Sequence, residues 1–246
     1  MHLTEDSFRA LARSSPWRWR TMHFRHRDEH SEVEAWVQRP DRLLVRTPND
    51  GDHVVTDVLG DPTFVTVGGP PPTPVARWAY DLVPALRPDG LVAVRPEEGA
   101  DPIEAAEIVY GDLMWQTYRW VAMLDPVELS HHTVVSDLRE TVRNDRPTWR
   151  ATVEPVEGYE PRCGCCPLLW SEISQRDEYG DDWGRRPGGD PGVVCPEVYD
   201  VSLDLRTGVV VELANTGGAT ASYGFTLDIL DVDAQDEHLP GVPSRP

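Results

Sequence analysis

The chain has 246 residues, of which 39% are hydrophobic and 8% aromatic, and carries a formal net charge of −19. That composition argues against global disorder, and the charge opposes DNA or anionic lipid headgroups as general partners, because both need cations against phosphate. All 23 basic residues are arginine; with no lysine to form a Schiff base, hold a γ-phosphate or act in a Ser-Lys pair, pyridoxal enzymes, P-loop NTPases and protein kinases are disfavoured.

Thr4-Glu5-Asp6-Ser7 caps a short predicted helix that buries Phe8, Leu11 and Ala12, with its acids at the positive end of the helix dipole. Ser14-Ser15-Pro16 stops it. Residues 17–27 alternate in polarity and predict a first strand. Val33, Ala35 and Val37 then alternate with Glu34, Trp36 and Gln38, the period of a half-buried strand. Arg39-Pro40-Asp41-Arg42 turns the chain, where a proline without a backbone donor is at home, and Leu43-Leu44-Val45 returns it. Asn49-Asp50-Gly51-Asp52 is a further turn, with short strands expected at 53–56 and 63–67.

Spacing through Trp78, Leu82 and Leu86 predicts a helix over 75–86. Asp101-Pro102 reads as an N-cap followed by proline at the first helical position. The helix it opens runs through Ile103, Ala106 and Val109, breaks at Gly111 and resumes through Met114, Tyr118, Val121 and Leu124. Trp115, Tyr118 and Trp120 also suit a strand. Residues 134–142 and 148–153 form a hairpin about Asn144-Asp145. Strands at 199–205 and 209–213 flank Arg206-Thr207-Gly208, whose glycine can take the positive φ of a bulged turn. A last strand covers 225–232. Roughly nine strands and three helices make an α+β fold dominated by antiparallel sheet. No internal repeat is present.

The first seventeen residues carry acid where a secretory signal needs base, and no stretch approaches the ~20 apolar residues of a membrane span. The expectation is a soluble, cytoplasmic protein with no transmembrane segment.

Three segments, in order, bear a family likeness: the hairpin 36–45 with its Arg39-Pro40 corner, Asp204-Leu205-Arg206-Thr207-Gly208 followed by valines, and Phe225-Thr226-Leu227-Asp228-Ile229. Together they span about a third of the chain. In this they resemble the bacterial lipoprotein-carrier (LolA-like) and periplasmic sigma-regulator half-barrel superfamily. The resemblance implies a curved antiparallel sheet, an incomplete β-barrel with about three lid or flanking helices around an apolar cavity. It frames residues 1–238 as one domain with a cysteine-rich insertion at 159–195, followed by a flexible tail at 239–246. The acidic N-terminus and the cysteine-rich insertion depart from the family's carriers, so the expectation is a divergent member without an export signal: a non-enzymatic protein holding an apolar or amphiphilic small molecule or a lipidated partner. Trp36, Trp78, Trp115, Tyr118 and Trp120 are the wall or lid residues this reading nominates, against the plainer one that they fill the core.

Cys163, Cys165, Cys166 and Cys195 are the four cysteines. Four thiolates complete a tetrahedral zinc set, although Cys-Gly-Cys-Cys departs from the Cys-x-x-Cys knuckle. A disulfide from the triplet to Cys195 and four reduced thiols remain open beside a structural zinc. The alternative function is therefore a metal- or disulfide-stapled protein-interaction module, with a redox-responsive regulator a third reading.

Catalytic signatures are missing. Thr220-Ala221-Ser222-Tyr223-Gly224 has threonine where a nucleophile elbow needs glycine. No His-Glu-x-x-His occurs, and the glycines lack dinucleotide spacing. Adjacent His131 and His132 read as exposed turn residues. His26 and His30 would share a face only on a helix. Asp228, Asp231, Asp233, Glu237 and His238 form an acidic end best explained as a solvated strand terminus.

Overall fold

The computed structural model describes residues 2–56, 77–96, 108–111, 113–185, 192, 194–218 and 223–234. Helix α1 (Glu5–Ser14) begins with a reciprocal capping box: Thr4 Oγ1 accepts the Ser7 amide and the Ser7 hydroxyl accepts the Thr4 amide. Phe8, Ala10, Leu11 and Ala12 are buried from it. A 3₁₀ turn follows at Ser15–Trp17, so Trp17 lies outside the first strand. Its indole donates to the carbonyls of Ala79 and Leu82, both at 3.0 Å, which draws the ring away from the sheet.

Strands β1 (Thr21–Asp28), β2 (Glu32–Gln38), β3 (Arg42–Thr47) and β4 (Gly51–Thr56) form an antiparallel meander. A second meander comprises β5 (Thr133–Arg143), β6 (Arg146–Pro155), β7 (Val198–Asp204), β8 (Val210–Thr216) and β9 (Phe225–Val232). The first and last strands, β1 and β9, pair and join the two into one sheet of order β4-β3-β2-β1-β9-β8-β7-β6-β5. With β4 and β5 as edges, the nine strands do not close into a barrel. Register shifts at His23/Phe24, Arg150/Thr152 and Ser202/Leu203 mark bulges, which bend and twist a sheet.

Period-2 alternation decides the faces. Phe24, Ala35, Val45, Leu227, Leu213, Val201 and Ala151 point into one core, joined there by Phe8 and Leu11 of α1 and by Trp120, Met123 and Leu124 of α2 (Arg119–Leu124). The other face carries ion pairs between strands: Arg150–Asp200 at 2.9 Å joins neighbours, and Arg143 at the end of β5 reaches Asp228 of β9 at 3.0 Å. The turn into β8 seats against α1: Gly208 has φ +74°, and a Cβ there would stand 2.7 Å from the Leu11 carbonyl.

The α+β class and the open, mostly antiparallel sheet agree with the sequence, as do the hairpins at 36–45, 134–153 and 199–213. The helices fall elsewhere. Over 75–86 no helix forms among the described residues; Arg77–Trp78 pairs in parallel with Ile108–Val109, Ala79–Asp81 is a 3₁₀ turn, and Ala85–Leu86 pairs with Val92–Val94. Pro84 explains this, since its ring and missing N–H oppose a continuous helix, and Val83 and Leu86 are exposed. Val109 is likewise in a strand. The resumed helix shortens to α2, preceded by Gln116 at φ +61°. A helix sequence reasoning missed, α3 (Glu172–Tyr179), sits inside the 159–195 insertion and opens on a Ser171/Ser174 capping box. The strand at 63–67, Ile103, Ala106 and the tail at 239–246 lie outside the described residues. Among the described residues no helix is long and apolar enough to cross a membrane.

Candidate metal centre

The cysteine loop follows β6 and is tied to the body before it reaches the thiols. Tyr159 is buried, donates its hydroxyl to Glu128 Oε2 and accepts the Leu169 amide at 3.2 Å. Arg162 bridges to Asp125 at 2.8 Å, a carboxylate that also holds Arg95. Beyond the thiols, Leu168 and Leu169 are fully buried in the core. The Tyr223 hydroxyl donates to the Pro167 carbonyl and the Tyr199 hydroxyl to that of Trp170. Tyr159, Leu168 and Leu169 of the loop, with the Tyr199 and Tyr223 phenols from farther along the chain, thus fix it on both sides.

Between these anchors the Cys166 amide donates to the Cys163 carbonyl at 3.3 Å, closing a turn. The turn gathers three sulfurs: Cys163–Cys165 at 2.9 Å, Cys163–Cys166 at 3.5 Å and Cys165–Cys166 at 3.6 Å. Cys166 Sγ also accepts the Tyr118 amide at 3.2 Å. Gly164 has no side chain because α3 crosses it; a Cβ there would collide with the side chain of Glu178.

Charge is unevenly shared. Burial opposes ionisation of Cys163, but thiol hydrogen bonds from Cys165 and Cys166 outweigh it and hold the Cys163 thiol below its ordinary value. Cys165, donating to Cys163 and partly desolvated, is pushed up to about 12. Burial, then the hydrogen bond to Cys163, raises Cys166. Of the three thiols Cys163 gives up its proton most readily, and a cation that enters the cluster displaces protons from the others. A tetrahedral ion with Zn–S bonds of about 2.3 Å spaces its sulfurs by about 3.8 Å. Cys166 stands close to that spacing from both neighbours, and exposed Cys165 needs to swing outward from Cys163.

Cys195 is not part of this group. The three sulfurs lie within 4.8 Å of one another and Cys195 falls outside the set. Its thiol is buried, and burial followed by the charge of Glu172 raises it to about 11. All four cysteines are free. Of the four thiolates expected at one site the structure gathers three, and no disulfide joins the triplet to Cys195, which is held just before β7 with its backbone packed against Gly218.

The five aromatic candidates do not form one wall. Trp36 is on the outer face of β2, stacked on His23 at 4.4 Å beneath Arg46. Trp120 is on the core face against Phe24 and His26. Trp115 packs on His53 at 4.9 Å, and Trp78 is buried outside the main core cluster. Tyr118 joins the thiols through its backbone. A solvent-open cleft of about 420 Å³ runs along the β5–β6 hairpin, lined by Glu140, Val142, Pro147 and Trp149 and by none of the five.

His131 and His132 are exposed, as expected. His30 is exposed whereas His26 is buried between Trp120 and Phe225, where desolvation pushes it down to about 4. Sequence reasoning missed Glu128. It is fully buried, and burial raises its carboxyl to about 7 despite the Tyr159 hydrogen bond. Its only sequence signal is an acid in an otherwise apolar Pro126–Leu129 stretch.

No protein-family model, curated protein or solved structure matches the chain.

Proposed function

We propose that this protein binds a thiophilic d¹⁰ cation, Cu⁺ or Zn²⁺, on Cys163, Cys165 and Cys166. The three-sulfur cluster carries the reading. Among the described residues no histidine or carboxylate completes the group, and an all-sulfur donor set selects soft ions over Mg²⁺ or Ca²⁺. Three thiolates satisfy trigonal Cu⁺; Zn²⁺ needs a fourth ligand, from water or a partner, on the side where Cys165 meets solvent. Because Leu168, Leu169 and three phenols anchor the loop independently of the sulfurs, the ion is an exchangeable occupant rather than a folding staple.

Anaerobic titration of the reduced protein followed by X-ray absorption tests this. The expected result is one ion per chain in a shell of three sulfurs at about 2.2–2.3 Å, with or without one oxygen. A nitrogen- or oxygen-dominated shell, or no stoichiometric ion, contradicts it.

A second reading, the carrier-like half-barrel holding an amphiphilic ligand, is supported by buried nitrogens without hydrogen-bond partners among the described residues. Among them are His26 Nδ1, His53 Nε2 and Trp115 Nε1; Arg143 Nε and Trp149 Nε1 share the condition. Such atoms cost roughly 1–3 kcal/mol each unless a ligand or water meets them. Native mass spectrometry tests it: co-purified or added fatty acid or lipopeptide on the protein supports the reading, and a clean apoprotein with no uptake removes it.

A further inference from the structure

We infer that Cys163 and Cys165 are a reversible disulfide site, and that closing it empties the metal centre. The bridge itself does not depend on the metal reading; only its consequence rests on it. Cys163 and Cys165 are the closest sulfurs of the three, at 2.9 Å, and the residue between them is a glycine. Cys165 is exposed. Cys166 is held back: its sulfur accepts the Tyr118 amide and its own amide closes the turn onto Cys163. Cys195 stands outside the cluster. The geometry thus singles out one pair among six.

A peroxide is the oxidant that the step requires. The Cys163 sulfur attacks one peroxide oxygen, the O–O bond breaks, and a sulfenic acid and one water result. The Cys165 sulfur then attacks the sulfenic sulfur, the S–O bond breaks, and a second water leaves as the S–S bond forms. Two thiols and one hydrogen peroxide give one disulfide and two waters. A dithiol reductant reverses the bridge by exchange. With two of the three sulfurs joined, Cys166 alone cannot retain a cation.

The test uses the full chain, reduced and metal-free, treated with stoichiometric hydrogen peroxide and examined by intact mass and peptide mapping. The expected product is lighter by two hydrogens and mapped to Cys163–Cys165. C165S abolishes it, whereas C166S and C195S retain it, and dithiothreitol restores the starting mass. A bridge mapped to Cys166 or Cys195, a dimer-linking bridge, or oxygen addition without loss of hydrogen overturns the inference. A second arm adds Cu⁺ or Zn²⁺ to bridged and reduced protein: binding by the reduced form alone supports the coupling, and equal binding by both overturns it. Should the reduced form bind neither ion while the bridge still maps to Cys163–Cys165, the metal reading fails and the disulfide site stands.

Discussion

Tyr159 donates a hydrogen bond to Glu128 inside the protein, across 31 residues of chain, and thereby ties the base of the cysteine loop to the segment that follows α2. The acid is nearly solvent-free, and the charged or titratable groups around it are Tyr159, Arg162, Asp125 and Tyr223. Burial raises its carboxyl from 4.5 to about 7, so the folded protein keeps a proton that the unfolded chain loses. The stability this confers is complete below pH 4.5 and is lost as pH rises through about 7.

Glu128→Gln keeps the shape and removes the titration. The span from 4.5 to about 7 corresponds to about 3 kcal/mol. Urea unfolding between pH 4.5 and 8 should therefore show E128Q gaining on the parent by up to that amount, levelling above pH 7. Parallel curves across the range would remove Glu128 as the titrating group.

Arg39 is a buried guanidinium with no carboxylate paired to it among the described residues. It donates to the Ser15 carbonyl at 2.6 Å and the Leu124 carbonyl at 3.0 Å and stacks on Trp19. Desolvation pushes it down to about 10, well within its charged range at neutral pH. Arg39→Ala removes one donor from each of two buried carbonyls, which keep only the Arg18 amide and the Ser15 hydroxyl, and removes the stacked cation, a loss of about 3 kcal/mol. Arg27, exposed and paired with Glu32 at 3.0 Å, supplies the control; R27A should leave the urea midpoint unchanged. Equal midpoints for R39A and R27A would contradict the account of Arg39.

Gly208 and Gly90 separate backbone strain from collision. Both have positive φ, at +74° and +84°, but a Cβ at Gly90 meets nothing within 4 Å. Gly90→Ala should cost only the left-handed backbone penalty, about 1 kcal/mol. Gly208→Ala adds the Leu11 carbonyl to that penalty and must push α1 from the β7–β8 turn, so its thermal midpoint should fall clearly further. If G90A falls as far as G208A, packing against α1 is not what fixes that turn.

The sheet was legible because its signal is local: the alternation around Ala35, around Trp149 and around Leu227 sets strand and face together. The same pattern puts Trp36 beside Glu34 and Gln38 and away from the core, which separates it from Trp120. The helices were less legible. Trp78, Leu82 and Leu86 match helical spacing, yet Pro84 interrupts them. Ser171-Glu172-Ile173-Ser174 is a cap readable only once a helix is sought inside a cysteine-rich loop. The thiol triplet declared itself by adjacency, whereas the position of Cys195 depends on where β7 fixes its backbone, and Glu128 acquires its character only from Tyr159 far along the chain.

The central claim is that three neighbouring sulfurs hold the ion and the fourth cysteine does not. The most direct measurement is the stoichiometry of Cu⁺ and Zn²⁺ bound anaerobically by the four single cysteine-to-serine variants. Cys195→Ser should bind one ion per chain with parent affinity, while C163S, C165S and C166S each lose at least tenfold and keep the parent's unfolding midpoint when metal-free to within about 1 kcal/mol. Loss of binding in C195S, or retention in any of the other three, would contradict it.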